Sequence, residues 1–250
     1  MKYVLTIAGS DPTGGAGIQR DIETILELGK RPLSVVTSVT VQSPLRVITS
    51  KSLPARLVRE QLVVILKEFS PDAIKIGLTG SASVIDALYD VLKEKSPANV
   101  VLDPVIKASS GYMFVRGDGL RALKRLLSVA TMVTPNLYEA ELLSGVSIRD
   151  DITLKKAAER ILSSGCSHVL IKGGHLKGAP VDTLFDGKKV YTFGARRLPL
   201  SEGLLHGTGC ILSGAIACHL ADGTTPVEAV KRAKGYLEGV LRGRARRGGT

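Results

Sequence analysis

The chain has 250 residues, of which 44% are hydrophobic and 23% charged, a balance that excludes an intrinsically disordered chain and suits one large core. Its three cysteines, Cys166, Cys210 and Cys218, form no C-x-x-C pair, which argues against a disulfide framework or a zinc site and for a reducing, cytoplasmic setting. The net charge of +11 comes without an aromatic stacking platform or nucleic-acid motif, so no nucleic-acid partner is expected, and the excess suits attraction of an anionic nucleotide.

The chain opens on an apolar run, Tyr3 to Ala8, too short for a signal-peptide core and read as a first strand. Further strand candidates are Leu33 to Val41, Ala73 to Ile76, Val100 to Leu102, Met132 to Thr134 and Val169 to Ile171. Helical periodicity lies between them, at Ile18 to Leu28, Ala55 to Phe69, Ala82 to Lys95, Gly119 to Val129, Leu137 to Leu143 and Leu154 to Ser163. Asp186-Gly187 between Val181 to Phe185 and Lys189 to Phe193 predicts a hairpin, and helices follow at Thr208 to Ala221 and Pro226 to Leu241. This alternation predicts an α/β fold: a three-layer αβα sandwich with a mostly parallel central sheet. The reading is a single domain over 1–241 and a short basic tail over 242–250, whose Arg242, Arg244, Arg246 and Arg247 are expected to be solvated. No apolar run approaches the roughly 20 residues of a membrane span, so no membrane partner is expected.

Four segments carry chemistry. After the first strand, Gly9, Gly14, Gly15 and Gly17 form a Gly-rich loop that lets backbone approach a ligand at a helix start. No Lys follows Gly14 as a Walker A loop requires, and Arg20 breaks the G-x-G-x-x-G spacing. A tight strand-to-helix turn explains the loop equally well. Before a long apolar helix, His206-Gly207-Thr208-Gly209-Cys210 lets backbone N–H groups converge on a phosphate. The same helix start is expected to lower the Cys210 pKa and favour a thiolate general base; the alternative is a small buried hydrophobe. Asn136 and Glu139, at i and i+3, suit either a capping box or the water shell of a phosphate-borne Mg²⁺. Lys172 beside Gly173 and Gly174 is placed to reach a phosphate, while His175 receives no role.

In order, AGSDPTGGAGIQRD (Ala8 to Asp21), TPNLYEAELL (Thr134 to Leu143), IKGGH (Ile171 to His175) and HGTGC (His206 to Cys210) resemble the hydroxymethylpyrimidine/phosphomethylpyrimidine kinases of thiamine biosynthesis, in the ribokinase-like superfamily. KIG (Lys75 to Gly77) and VLDPV (Val101 to Val105) extend the resemblance, which runs from Tyr3 to about Leu241. It implies ATP- and Mg²⁺-dependent phosphorylation of 4-amino-5-hydroxymethyl-2-methylpyrimidine and then of its monophosphate. It also implies that Asp21 and Gln42 read the ring, Ala16 and Leu78 line it, and Cys210 is the base. Gly207, Thr208 and Gly209 become the anion hole. Asp103, Asn136, Glu139 and Lys172 become the ATP-phosphate side, with Asn136 and Glu139 holding Mg²⁺ through water. Leu78 stands where many members have Met, a mild swap, and the basic tail replaces a longer Gly-Pro-containing one. No fused second thiamine-synthesis module is expected, and a homo-oligomer stays open.

Two rival functions are weighed. A pyridoxal kinase phosphorylates a related hydroxymethyl group, but Gln42 favours the aminopyrimidine, since pyridoxal-active relatives often carry an apolar residue there. A non-catalytic nucleotide or vitamin sensor would keep the fold without the chemistry; the intact Cys210, anion-hole motif and Asn136/Glu139 pair speak against it.

Overall fold

The computed structural model describes residues 1–43, 45–173, 181–194 and 205–247. The elements run β1 (Tyr3–Ser10), α1 (Gly17–Glu27), β2 (Arg31–Gln42), β3 (Val47–Ser52), α2 (Ala55–Glu68), β4 (Ala73–Ile76), α3 (Ala82–Lys95), β5 (Val100–Leu102) and α4 (Asp118–Leu126). Then come β6 (Met132–Val133), α5 (Leu137–Ser144), α6 (Asp151–Leu162), β7 (His168–Ile171), β8 (Val181–Phe185), β9 (Val190–Gly194), α7 (Thr208–Ala221) and α8 (Pro226–Arg247).

Among the described residues the strands form one sheet in the order β3-β2-β1-β4-β5-β6-β7-β8-β9. The strands from β2 to β7 in that order pair in parallel, and β3, β8 and β9 join antiparallel at the two edges. Short buried strands of Val, Ile and Leu need cover on both faces, and two apolar cores supply it. Leu5, Ile7, Ile74, Ile76 and Leu102 lie in the core shared with α2 to α6. Val4, Ala73, Val101 and Leu170 lie in the core shared with α7 and α8. The expected αβα sandwich is therefore the fold, and no described helix is long and apolar enough to cross a membrane.

Strand parity matters for the site. Side chains alternate between faces, so Thr6 and Lys75 share the α7 side with Val4 and Ala73. Chain order reverses direction between β1 and β4, and such a switch point leaves a crevice beyond the carboxyl ends of the strands. The loop after β1 and the start of α7 both lie there.

Two expectations are corrected. β3 was not anticipated, because VITSKS is polar and half exposed and takes its strand form from antiparallel pairing with β2, Ser38 to Gln42 facing Ser52 to Val47. The last helix does not stop at Leu241, because α8 continues to Arg247. Arg242 pairs with Glu238 one turn back at 2.6 Å, and Arg244 Nη1 donates to the His206 carbonyl at 3.0 Å.

Candidate active site

Asp11, 2% exposed, organises the Gly-rich loop. Its Oδ1 accepts from the Thr13 N–H and hydroxyl, both at 2.8 Å, and its Oδ2 accepts from the Ala16 N–H at 2.8 Å. Burial works to raise the Asp11 carboxyl, but hydrogen bonds from Thr13, Gln42 and Ala16 bring it below the usual range. Gln42, at the end of β2, is thereby tied to the loop that opens α1. Leu78 packs against Gly9, where any β-carbon would lie 2.8 Å from Leu78 Cδ2. Ala16, Gln42 and Leu78 thus border one region beyond β1 and β2.

The start of α7 closes on this loop. His206 Nε2 lies 3.3 Å from Asp11 Oδ2. Gly207 adopts φ 78° as the N-cap of α7, and a β-carbon there would fall 1.9 Å from the Gly15 carbonyl oxygen. Only glycine permits both the left-handed backbone and this approach. The first-turn N–H groups of α7 have no partner within the helix, and its positive end faces the same crevice.

Across the crevice, Lys172 follows β7, with Nζ 2.8 Å from Asp103 Oδ1. Burial lowers the Lys172 ammonium, but Asp103 and Glu139 outweigh it and hold the group above its ordinary value. Burial likewise works to raise the Asp103 carboxyl, which Lys172 and Lys75 bring below its usual range. A methyl group on Gly209 would stand 3.5 Å from Lys172 Nζ and 3.6 Å from Asp103 Oδ2. The Gly207 to Gly209 segment and Lys172 therefore face each other directly. Gly173 N–H donates to Asp182 Oδ1 at 2.9 Å, and Asp182 pairs through its other oxygen with Lys234 of α8. Gly174 and His175 lie outside the described residues.

Asn136 and Glu139 form the capping box of α5: Asn136 Oδ1 accepts from Glu139 N–H and Glu139 Oε2 from Asn136 N–H, both at 2.9 Å. Glu139 Oε1 also accepts from Ile106 N–H at 3.3 Å. Burial is the main force pushing the Glu139 carboxyl up to about 7, with Lys172 acting against it and Asp103 with it. The capping role is thus realised, and the same carboxylate adjoins the Lys172/Asp103 pair.

Two expectations about the acceptor side change. Burial pushes the Cys210 thiol up to about 11, against Lys75, which lowers it; the predicted depression by the helix start does not prevail. Asp21 is fully buried, and its oxygens accept from Lys75 Nζ at 2.9 and 2.7 Å and from the Thr6 hydroxyl at 2.6 Å. A carboxylate so enclosed and so engaged lies behind the crevice rather than on its wall, which is not the position of a direct ring reader.

Sequence reasoning passed over Asp11, His206, Lys75 and Asp182 as functional residues. Three of them stand inside quoted motifs, but their partners come from 54 to 195 residues away, and no local spacing reports that. Asp182 sits in the predicted hairpin, where alternation speaks only of burial.

A hydroxymethylpyrimidine/phosphomethylpyrimidine kinase of Streptomyces coelicolor is 41% identical over 95% of this chain and 88% of that protein. The crystal structure of a phosphomethylpyrimidine kinase from Clostridium difficile is 34% identical, with a TM-score of 0.86 covering 96% of this chain and all of that one. The pyridoxal kinase of Staphylococcus aureus in complex with AMP-PCP and pyridoxal is 34% identical, with a TM-score of 0.84 covering 95% and 87%. The family model described as phosphomethylpyrimidine kinase matches residues 11–249, and the chain belongs to that family.

Proposed function

We propose that this chain transfers the γ-phosphoryl group of ATP to 4-amino-5-hydroxymethyl-2-methylpyrimidine, and a second one to the resulting monophosphate, in thiamine biosynthesis. The observation that carries this reading is the facing pair formed by the Gly207 to Gly209 segment and Lys172, with Cys210 directly after the segment. In-line phosphoryl transfer chiefly requires positioning and charge neutralisation, and these groups are arranged for both. The α7 N–H groups receive the moving phosphoryl oxygens, and Lys172, oriented by Asp103, holds the nucleotide phosphates. Ala16, Gln42 and Leu78 offer apolar walls and one amide to an aminopyrimidine. Asp21 acts behind them, through Lys75 and Thr6.

Cys210 receives the proton of the acceptor hydroxyl. Its thiol is protonated at rest because burial dominates, so the reactive thiolate is the product of prior proton loss to solvent. That loss is favoured by the positive charge of Lys75 below it and by the helix start.

Asn136 and Glu139 fit a nucleotide-borne Mg²⁺ that keeps its waters. They offer oxygen donors only, and Glu139 is a buried carboxylate pushed up to about 7, a strain that a nearby cation relieves. When bound, Mg²⁺ neutralises the phosphate charge.

Pyridoxal kinase is the second reading, favoured by the similarity to the S. aureus enzyme. One assay separates the two: purified protein with ATP and either alcohol, with products resolved by mass. Monophosphate and diphosphate from the pyrimidine, outpacing pyridoxal phosphate, are expected. Turnover of pyridoxal alone would overturn the proposal.

A further inference from the structure

A buried ion pair lies beneath Cys210, and the transfer scheme uses neither partner directly. Lys75 and Asp21 are both fully buried, with the ammonium bridging both carboxylate oxygens. Packing in Gly77 is tight against it, since a β-carbon there would lie 2.6 Å from Lys75 Nζ. Taking two charges out of water is costly, and an apolar pair of equal volume usually serves stability as well or better. Fold stability alone therefore gives a poor account of this pair.

Its position gives a better one. The Gly17 N–H at the start of α1 donates to the Cys210 thiol sulfur. Asp21 follows one turn later on α1, and Gly214 follows Cys210 one turn later on α7, so both pairs share the facing sides of the two helices. A β-carbon at Gly214 would meet Asp21 Oδ1 at 4.0 Å. The interface thus pairs Gly17 with Cys210 and Asp21 with Gly214, and Lys75 projects from β4 into the same layer. Four charged groups act on the thiol: Lys75 from β4, Asp21 from α1, Asp103 beyond β5 and Lys172 just after β7.

We propose that the Lys75–Asp21 pair is the positioning device that sets how readily Cys210 loses its proton, Lys75 favouring the thiolate and Asp21 restraining it. This rests on the reading of Cys210 as the base. Lys75 touches neither acceptor nor nucleotide, and it acts through Cys210. Asp21 moderates the field of Lys75, whose charge Asp103 also supports, so the thiolate is accessible without being permanently formed. Thr6, donating to Asp21 at 2.6 Å, fixes the carboxylate from the strand side.

The test is the pH dependence of Cys210 alkylation by iodoacetamide in the full-length protein without substrates, mapped by mass spectrometry; the buried Cys166 and Cys218 serve as internal controls. Lys75→Met is expected to shift the alkylation profile upward by about one pH unit, slowing modification near neutral pH roughly tenfold. Asp21→Asn is expected to shift it downward, speeding modification by a similar factor. A purely structural pair has no reason to move the two profiles in opposite directions. Shifts of the same sign, or no shift in either variant, would overturn the proposal. Should a single substitution unfold the protein, the neutral double variant Lys75→Met/Asp21→Leu restores a charge-free layer and is expected to alkylate more slowly than wild type; wild-type reactivity there overturns it equally. Pyrimidine turnover measured across the same pH range keeps the two readings apart. Opposite alkylation shifts that turnover does not follow would uphold the ion-pair inference and remove Cys210 from the base role.

Discussion

Gly207→Ala isolates the contact that joins the two glycine loops. The new β-carbon would lie 1.9 Å from the Gly15 carbonyl oxygen. Real contacts of this type essentially never fall under 3.0 Å, so the loops must separate by about 1 Å. The residue also sits at φ 78°, which costs a non-glycine residue about 1–2 kcal/mol. That loss is small enough for the domain to fold, yet a displacement of about 1 Å at the reacting centre is worth on the order of 10²-fold in rate. The expected result is a stable protein with turnover down roughly a hundredfold and a much smaller change in ATP affinity, because Lys172 stands on the opposite wall. Single-turnover phosphorylation with saturating ATP, alongside a thermal melt, measures both quantities. Turnover within about threefold of wild type in a folded variant would refute the claim that this approach sets the anion hole.

Substitutions at three further residues address other walls of the site. Cys210→Ala should lower turnover roughly 10²–10⁴-fold with little change in ATP or pyrimidine binding, and Cys210→Ser should stay folded yet slow near neutral pH; wild-type rates in both would make Cys210 a packing residue. Gln42→Met should weaken discrimination for the aminopyrimidine over pyridoxal by on the order of 1–3 kcal/mol, read from the ratio of kcat/KM values, whereas an unchanged ratio would remove the amide from ring recognition. Glu139 should imprint a pH dependence on stability. Folded, its carboxyl keeps its proton up to about 7, against an ordinary value of 4.5, so this contribution is full below pH 4.5 and lost as pH rises through 7. At 1.36 kcal/mol per pKa unit the loss is on the order of 3 kcal/mol. Urea unfolding at the two ends of that range should show Glu139→Gln missing this slope, and parallel slopes would show that burial does not strain the carboxyl.

Much of the fold was legible because periodicity and punctuation are local properties. Asp186-Gly187 between two apolar runs and Gly207 ahead of Thr208 marked boundaries that the backbone keeps. β3 was not legible, since a half-exposed edge strand of Ser, Thr and Lys owes its form to a partner. The last turns of α8 were misread for the opposite reason: arginines there read as a charge run, while i, i+4 pairing with Glu238 and a carbonyl contact at His206 hold them helical. In the site, loops and strand ends were placed by their motifs. The state of Cys210 was not, because a helix start is visible in sequence and the burial that outweighs it is not. Asp21 failed in the same way, as its partner Lys75 lies 54 residues on.

The long C-terminal helix reaches both sides of the crevice. Lys234 grips Asp182, which holds the Gly173 N–H beside Lys172, and Arg244 grips the His206 carbonyl beside Gly207. The two ties stand ten residues apart on one helix, about 15 Å at 1.5 Å per residue, so a single helix fastens both sides of the crevice from behind. A disturbance at either tie is therefore carried along one helix to the other, so the two sides of the crevice shift together rather than singly.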